Sequence, residues 1–173
     1  MHFADFIGVC MDEVFNQMAK IRYMFGGQGK VHMVTIKRAT PTEPAEEASG
    51  LWQDCSIENL PSWSAVLYFF AKNLNEALDV PVGIISCAYS GSEVECWLPD
   101  TIIPEDALSA GAPEDLKSRF VGNVHAPHNM WNGMINPIKG YNISGFLWYQ
   151  GCSNTFWHLI PSYGERLTTM INF

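Results

Sequence analysis

Apolar positions along the chain change period several times, and each change marks an element. From Asp12 to Lys20, Val14, Phe15 and Met18 share one face, which predicts a helix. Ile21 to Phe25 predicts a short strand, and Gly26 to Lys30 a glycine-rich turn. Val31 to Ile36 alternates and predicts another strand, while Thr40 to Gly50, with two prolines and several glutamates, predicts a solvated loop. The longest helical pattern runs from Ser62 to Leu78. Ser62 is placed to cap it, and Val66, Phe69, Phe70, Leu74, Ala77 and Leu78 fall on one side. Asp79 and Pro81 end that helix. Val82 to Cys87 follows as an unbroken apolar run, the pattern of a strand covered on both faces.

The second half repeats the alternation. Pro113 to Phe120 predicts a short helix with Glu114 and Asp115 in its first turn, where the helix dipole favours them. His128 to Ile138 predicts one or two helical turns, Ile143 to Tyr149 a second fully apolar strand, and Pro161 to Ile171 a last helix opened by its proline. Strands alternating with helices predict an α/β domain, a parallel sheet with helices on both faces, spanning residues 1–173 as one unit. The turns that end the two apolar strands, Ser90-Gly91 and Gln150-Gly151, then arrive at one edge of that sheet.

Composition narrows the class. With 47% hydrophobic and 16% charged residues, the chain buries a core or presents a surface meant to be covered. Its formal net charge is −8 with no basic cluster, which excludes a nucleic-acid footprint. No apolar stretch reaches membrane-spanning length, and Met1 to Asp5 does not resemble a signal peptide. The cysteines, Cys10, Cys55, Cys87, Cys96 and Cys152, are odd in number and lack a Cys-x-x-Cys pair, so structural zinc has little support. They read as small buried hydrophobes, with a Cys87–Cys96 disulfide conceivable only in an oxidising compartment. Asn142-Ile143-Ser144 fits a glycosylation sequon, but it leads straight into a predicted buried strand.

The chemistry concentrates where the second apolar run ends. Gln150-Gly151 offers a side-chain amide and backbone N–H groups to an incoming oxygen, the equipment of an oxyanion hole; the alternative is a glutamine that ties the turn to its neighbours. Asn154 either satisfies turn backbone or touches a ligand. Cys152 at the same turn is either a passive or an activated thiol. Ser90 has no base that the sequence can nominate, so it is not read as a nucleophile. His125 and His128 can share one side of a helix, but no third metal ligand is near them in sequence, and no metal or other cofactor is expected. His158 lies close enough to the Gln-Gly turn to serve as a substitute base, although a surface or loop position is the plainer reading.

Several blocks carry a family resemblance. Trp148-Tyr149-Gln150-Gly151-Cys152-Ser153-Asn154 resembles the Trp-Tyr-Gln-Gly-Glu-x-Asn block of the sialate O-acetylesterase family, a branch of the SGNH hydrolases, with Cys152 in place of its Glu. Asn132-Gly133-Met134-Ile135-Asn136-Pro137 is similar to that family's Asn-Gly-Met-Ile-x-Pro. Trp63 to Phe70 resembles its Phe-Ser-Ala-Val-x-Tyr-Phe-Phe. Val80 to Ile85 followed by Ser90-Gly91-Ser92-Glu93-Val94-Glu95-Cys96-Trp97 is similar to its Val-Pro-x-Gly-Leu-Ile strand and Gly-Gly-Thr-x-x-Glu-x-Trp turn. These matches keep the family's order from about Ile21 to the C-terminus.

The resemblance implies a three-layer, flavodoxin-like sheet and hydrolysis of acetyl esters on sialic acid or a related sugar. Gly91 and Gln150 would be oxyanion donors, Asn154, Trp97 and Trp157 would be sugar contacts, and no cofactor would be needed. The family's Gly-Gln-Ser-Asn-Met nucleophile block and its Asp-x-x-His block do not occur in the 173 residues; Gly26-Gly27-Gln28-Gly29 carries Gly29 where the serine would stand. The chain therefore reads as an incomplete domain of such an enzyme, inactive alone. The alternatives are a non-catalytic sugar-binding pseudoenzyme and an unstable fragment. Its expected partners are an acetylated sugar, and missing chain or an oligomer partner, but no nucleic acid and no membrane. The resemblance implies a secreted, lysosomal or periplasmic setting.

Overall fold

The computed structural model describes residues 30–173. The helix expected over Asp12 to Lys20, the strand over Ile21 to Phe25, Gly26 to Gly29, His2 and Cys10 lie outside them. Two compact units interleave along the chain. Of the described residues, one unit holds 30–36, 49–86 and 141–147, and the other 37–48, 87–140 and 148–173.

The first unit is a small mixed α/β layer. Strands β1 (Val31–Thr35), β2 (Trp52–Asp54) and β3 (Val82–Ser86) lie in the order β2-β1-β3. β1 runs parallel to β3 in register Val31↔Val82 to Thr35↔Ser86, and antiparallel to β2. The sheet is therefore mixed rather than wholly parallel. A parallel neighbour needs a long crossover, which helix α1 (Ala65–Leu78) supplies between β2 and β3.

Helix α1 begins two residues later than a Ser62 cap would place it. Leu60–Ser62 forms a 3₁₀ turn, and Ser64 is the cap, its hydroxyl accepting from Leu67 N at 3.5 Å. Asp79 closes the helix in the left-handed region at φ 52° and donates its N–H to Asn75 O. The helix buries Ala71 and Asn75 and packs Leu67, Tyr68 and Leu74 against Val31, Met33, Trp63, Val82 and Ile84. Of the expected face, Val66, Phe69, Phe70, Ala77 and Leu78 are exposed, and only Leu74 turns inward. The helix is apolar on two stripes, so spacing alone does not choose between them. β3 also departs from the expectation of two covered faces: Val82, Ile84 and Ser86 are buried, Ile85 is half-buried and Gly83 is exposed.

Residues 143–149 form no strand. Phe146, Leu147 and Tyr149 are exposed, Tyr149 to 95%. An apolar run becomes a strand only when another strand takes its backbone groups, and among the described residues none pairs with it. Asn142 of the sequon is likewise exposed and irregular.

The second unit contains helix α2 (Glu114–Phe120), helix α3 (Ile160–Asn172) and several short turns. Both helices fall where the sequence places them, α3 with Pro161 at its first turn. The turns include a 3₁₀ turn at Val94–Trp97, a π turn at Trp131–Ile135 and 3₁₀ turns at Asn136–Ile138 and Cys152–Thr155. Val94, Leu98 and Ile103 make its core, covered by Ile102, Ala107, Trp148, Tyr163 and Met170. The Asn132-Gly133 pair clamps the 39–45 loop. Asn132 Nδ2 donates to Thr42 O at 2.8 Å, Asn136 Nδ2 to Ala45 O at 2.9 Å, and Ala45 N to Asn132 O at 2.9 Å. Gly133 has to be glycine here, because a Cβ would run into the Ala39 carbonyl. No described helix is long and apolar enough to cross a membrane.

Candidate active site

Two turns meet within the second unit. Residues 90–97 follow β3, and residues 150–155 precede α3. Gly91 takes φ +74° and Gly151 φ +145°, conformations that exclude most side chains. The Gln150 side chain joins the turns, its Nε2 donating to Ser92 O at 2.9 Å and to Asn154 Oδ1 at 2.7 Å. Both amide hydrogens of Gln150 are thus engaged inside the protein. Tyr163 on α3 donates its hydroxyl to Gln150 O at 3.2 Å. Gly91 is exposed, and its N–H makes no hydrogen bond among the described residues.

Asn154 is buried and holds the junction together. Its Oδ1 accepts from Val94 N at 2.9 Å as well as from Gln150, and its Nδ2 donates to Glu95 Oε2 at 2.8 Å. Its polar atoms are spent on the protein, which is the turn-satisfying alternative and leaves it no surface for a ligand. Glu95 is fully buried and its Oε1 lacks a partner. Burial pushes its carboxyl above the usual range, opposed chiefly by the Asn154 hydrogen bond. Trp97 is also buried. Its Nε1 donates to Ser92 Oγ at 2.8 Å, and its ring meets Trp148 edge-on at 6.4 Å, so it packs the turn and presents no open face to a sugar. Trp157 is 68% exposed and keeps an available face.

The remaining candidates scatter. His158 Nε2 sits 3.2 Å from Leu108 O, and its ring is wedged among Phe120, Phe156 and Trp157, so its outer nitrogen is tied to backbone instead of reaching the cleft. His128 is buried with Nδ1 2.8 Å from Leu98 O, and it lies in a turn at φ 67° rather than on a helix with His125. Cys55, Cys87, Cys96 and Cys152 are free thiols, so Cys87 and Cys96 are unbridged. Cys152 is exposed, and Cys87 is pushed up to about 11 by burial.

Sequence reasoning missed the charged cluster behind Gly91. Glu93 is fully buried, and Arg119 on α2 grips its Oε1 with Nε at 3.1 Å and Nη2 at 2.9 Å. The same Nη2 donates to Gly91 O at 2.8 Å. Glu93 Oε2 faces His125 Nδ1 at 3.3 Å. The carboxylate and guanidinium pair in sequence only through spacing of 26 residues, which no local pattern reveals.

The family described as carbohydrate esterase, sialic acid-specific acetylesterase, matches residues 30–173. The chain belongs to that family. Sialate O-acetylesterase of Pongo abelii is 28% identical over 135 residues, covering 70% of this chain and 25% of that protein. A solved structure of a carbohydrate acetylesterase from Xanthomonas citri superposes with a TM-score of 0.66 at 28% identity, covering 82% of this chain and 30% of that one. A stretch of 32 residues is 59% identical to the acetoin:2,6-dichlorophenolindophenol oxidoreductase subunit beta of Cupriavidus necator, covering 18% of this chain and 10% of that protein. The chain spans about a quarter of the length of the acetylesterases it matches among curated proteins. The family match begins at residue 30, so the stretch from Ile21 that also resembles the family lies outside it.

Proposed function

We propose that residues 30–173 are part of a carbohydrate acetylesterase that hydrolyses acetyl esters on sialic acid or a related sugar. The reading rests on one observation: the Gln150 amide reaches Ser92 O at 2.9 Å, so the turns at 91 and 150 share one rim. At that rim the exposed Gly91 N–H is the group free to meet an oxygen that turns negative during acyl transfer. Gln150 positions the rim, and donating directly to the oxygen requires it to release Ser92 or Asn154. Trp157 is the aromatic surface near the turn that a sugar ring can stack on.

In this proposal the domain completes a three-layer, flavodoxin-like sheet with residues beyond those described. An attacking serine and a base come from outside this sequence, because its 173 residues hold neither a Gly-Gln-Ser-Asn nor an Asp-x-x-His block. The chain alone then binds an acetylated sugar without turning it over. Saturation-transfer NMR with O-acetylated sialic acid, run beside an acetate-release assay, tests this. We expect binding that Gln150→Ala weakens, and release no faster than in buffer. No binding, or release that depends on one identifiable side chain, overturns the proposal.

A further inference from the structure

Behind the rim, three different donor atoms converge. The 3₁₀ turn at Val94–Trp97 brings residue i and residue i+3 onto one side, which stacks Glu93 and Cys96 together. His125 arrives from the segment after α2. Glu93 Oε2, Cys96 Sγ and His125 Nδ1 lie within 4.8 Å of one another, with Oε2 to Nδ1 at 3.3 Å and Oε2 to Sγ at 3.7 Å. Glu93 and Cys96 are fully buried.

Two of these separations match a metal tetrahedron, and the third, Nδ1 to Sγ, lies within 4.8 Å. Zinc–oxygen, zinc–nitrogen and zinc–sulfur bonds of about 2.1, 2.05 and 2.3 Å at tetrahedral angles put the oxygen about 3.4 Å from nitrogen and about 3.6 Å from sulfur. His125 Nδ1 points the same way: it is buried and makes no hydrogen bond, although the carboxylate lies within ion-pair distance. An ordinary Glu–His pair aligns a proton between its atoms; this one does not.

We propose that Glu93, Cys96 and His125 form a binding site for a borderline-soft divalent cation, zinc above all. Thiolate and imidazole donors select zinc over calcium or magnesium, which take oxygen. Arg119 is the supporting contact. It pins Glu93 through Oε1 alone and so leaves Oε2 turned to the other two donors. Without a cation, burial and the neighbouring Glu93 carboxylate keep the Cys96 thiol protonated. A dication supplies the missing positive charge, and binding releases the thiol proton to solvent. Three protein donors leave a fourth position for water, and His125 at 15% side-chain exposure is the side from which an ion enters.

Cobalt(II) titration of the full 173-residue chain, under a phosphine reductant, tests the site. We expect a thiolate-to-cobalt charge-transfer band that saturates at a single ion per chain and is abolished by zinc. Cys96→Ala removes the band, and His125→Ala weakens binding by more than the about 10–100-fold that a supporting-contact change costs. The double variant Cys55→Ser/Cys152→Ser keeps it, since those exposed thiols are not ligands. The inference is overturned if the unmodified chain shows no such band, if the band survives Cys96→Ala, or if it vanishes in the double variant. The sugar-binding measurement above is separate, so either result stands without the other.

Discussion

Replacing Asn154 with alanine tests how the two turns are held. The substitution removes three hydrogen bonds, from Val94 N, from Gln150 Nε2 and to Glu95 Oε2. Val94 and Glu95 are fully buried, so water cannot replace what they lose. A buried donor or acceptor left unpaired costs about 1–3 kcal/mol, and the half-buried Gln150 recovers its bond from solvent. The expected loss is therefore about 2–6 kcal/mol, a large share of the about 5–15 kcal/mol by which a domain is stable. Urea unfolding measures it as a lower midpoint at unchanged slope. Amide hydrogen exchange at Val94 gives a local readout and should speed up beyond the global change. Asn154→Asp sharpens the test. It keeps an oxygen for both donors but faces Glu95 with a second carboxylate, so its cost should grow as pH rises. A loss under about 1 kcal/mol with Val94 exchange unchanged refutes the argument that this amide joins the turns.

Other outcomes follow from single contacts. Gly133→Ala drives a Cβ into the Ala39 carbonyl and to 2.6 Å from Pro41 Cδ; since backbone cannot yield cheaply, a cost of about 3 kcal/mol and faster proteolysis at 39–45 are expected, and a neutral result refutes the clamp. Burial raises the Glu95 carboxyl above its ordinary value of 4.5, so the folded chain holds this proton more tightly than the unfolded one. Its ionisation cost is then fully present above the folded pKa and is relieved as pH falls towards 4.5. Glu95→Gln should flatten that part of the urea-midpoint profile, and parallel profiles for variant and parent sink the assignment. Iodoacetamide at pH 8, read by mass spectrometry, should modify exposed Cys152 and Cys55 well before Cys87, pushed up to about 11, and before buried Cys96. Fast labelling of Cys96 contradicts its burial.

What the sequence made legible was local. Asp79 and Pro81 stop α1, Pro161 opens α3, and Glu114-Asp115 sit in the first turn of α2, each a short-range rule that tertiary contacts do not override. What it hid was pairing. Trp52–Asp54 is too short to show alternation and exists because β1 is beside it. The apolar run 143–149 has the composition of a buried strand, but composition does not supply a neighbour. Val66, Phe69 and Phe70 are as apolar as Leu67, Tyr68 and Leu74, so only the sheet decides which stripe goes inside. Around the candidate site, the turns at 90–97 and 150–155 were expected to meet because two strands would end at one sheet edge; Gln150 does reach Ser92, although residues 143–149 form no strand. A Gln150 that ties the turn to its neighbours and a Trp97 packed in the core were both open alternatives, and the structure takes them; which polar partners each would meet was not legible. His125 comes to Glu93 and Cys96 from 29 or more residues away, and only the i, i+3 spacing of the latter two hinted at it.

The Asn154 carboxamide spans residues about sixty apart in the chain. That makes the rim an inherited package. A loop graft from a related esterase that brings in only the 90–97 stretch would meet a foreign partner at 150–154 and lose its shape. Engineering of substrate preference should therefore transplant both stretches together, or leave them untouched and vary the exposed surroundings of Trp157 instead.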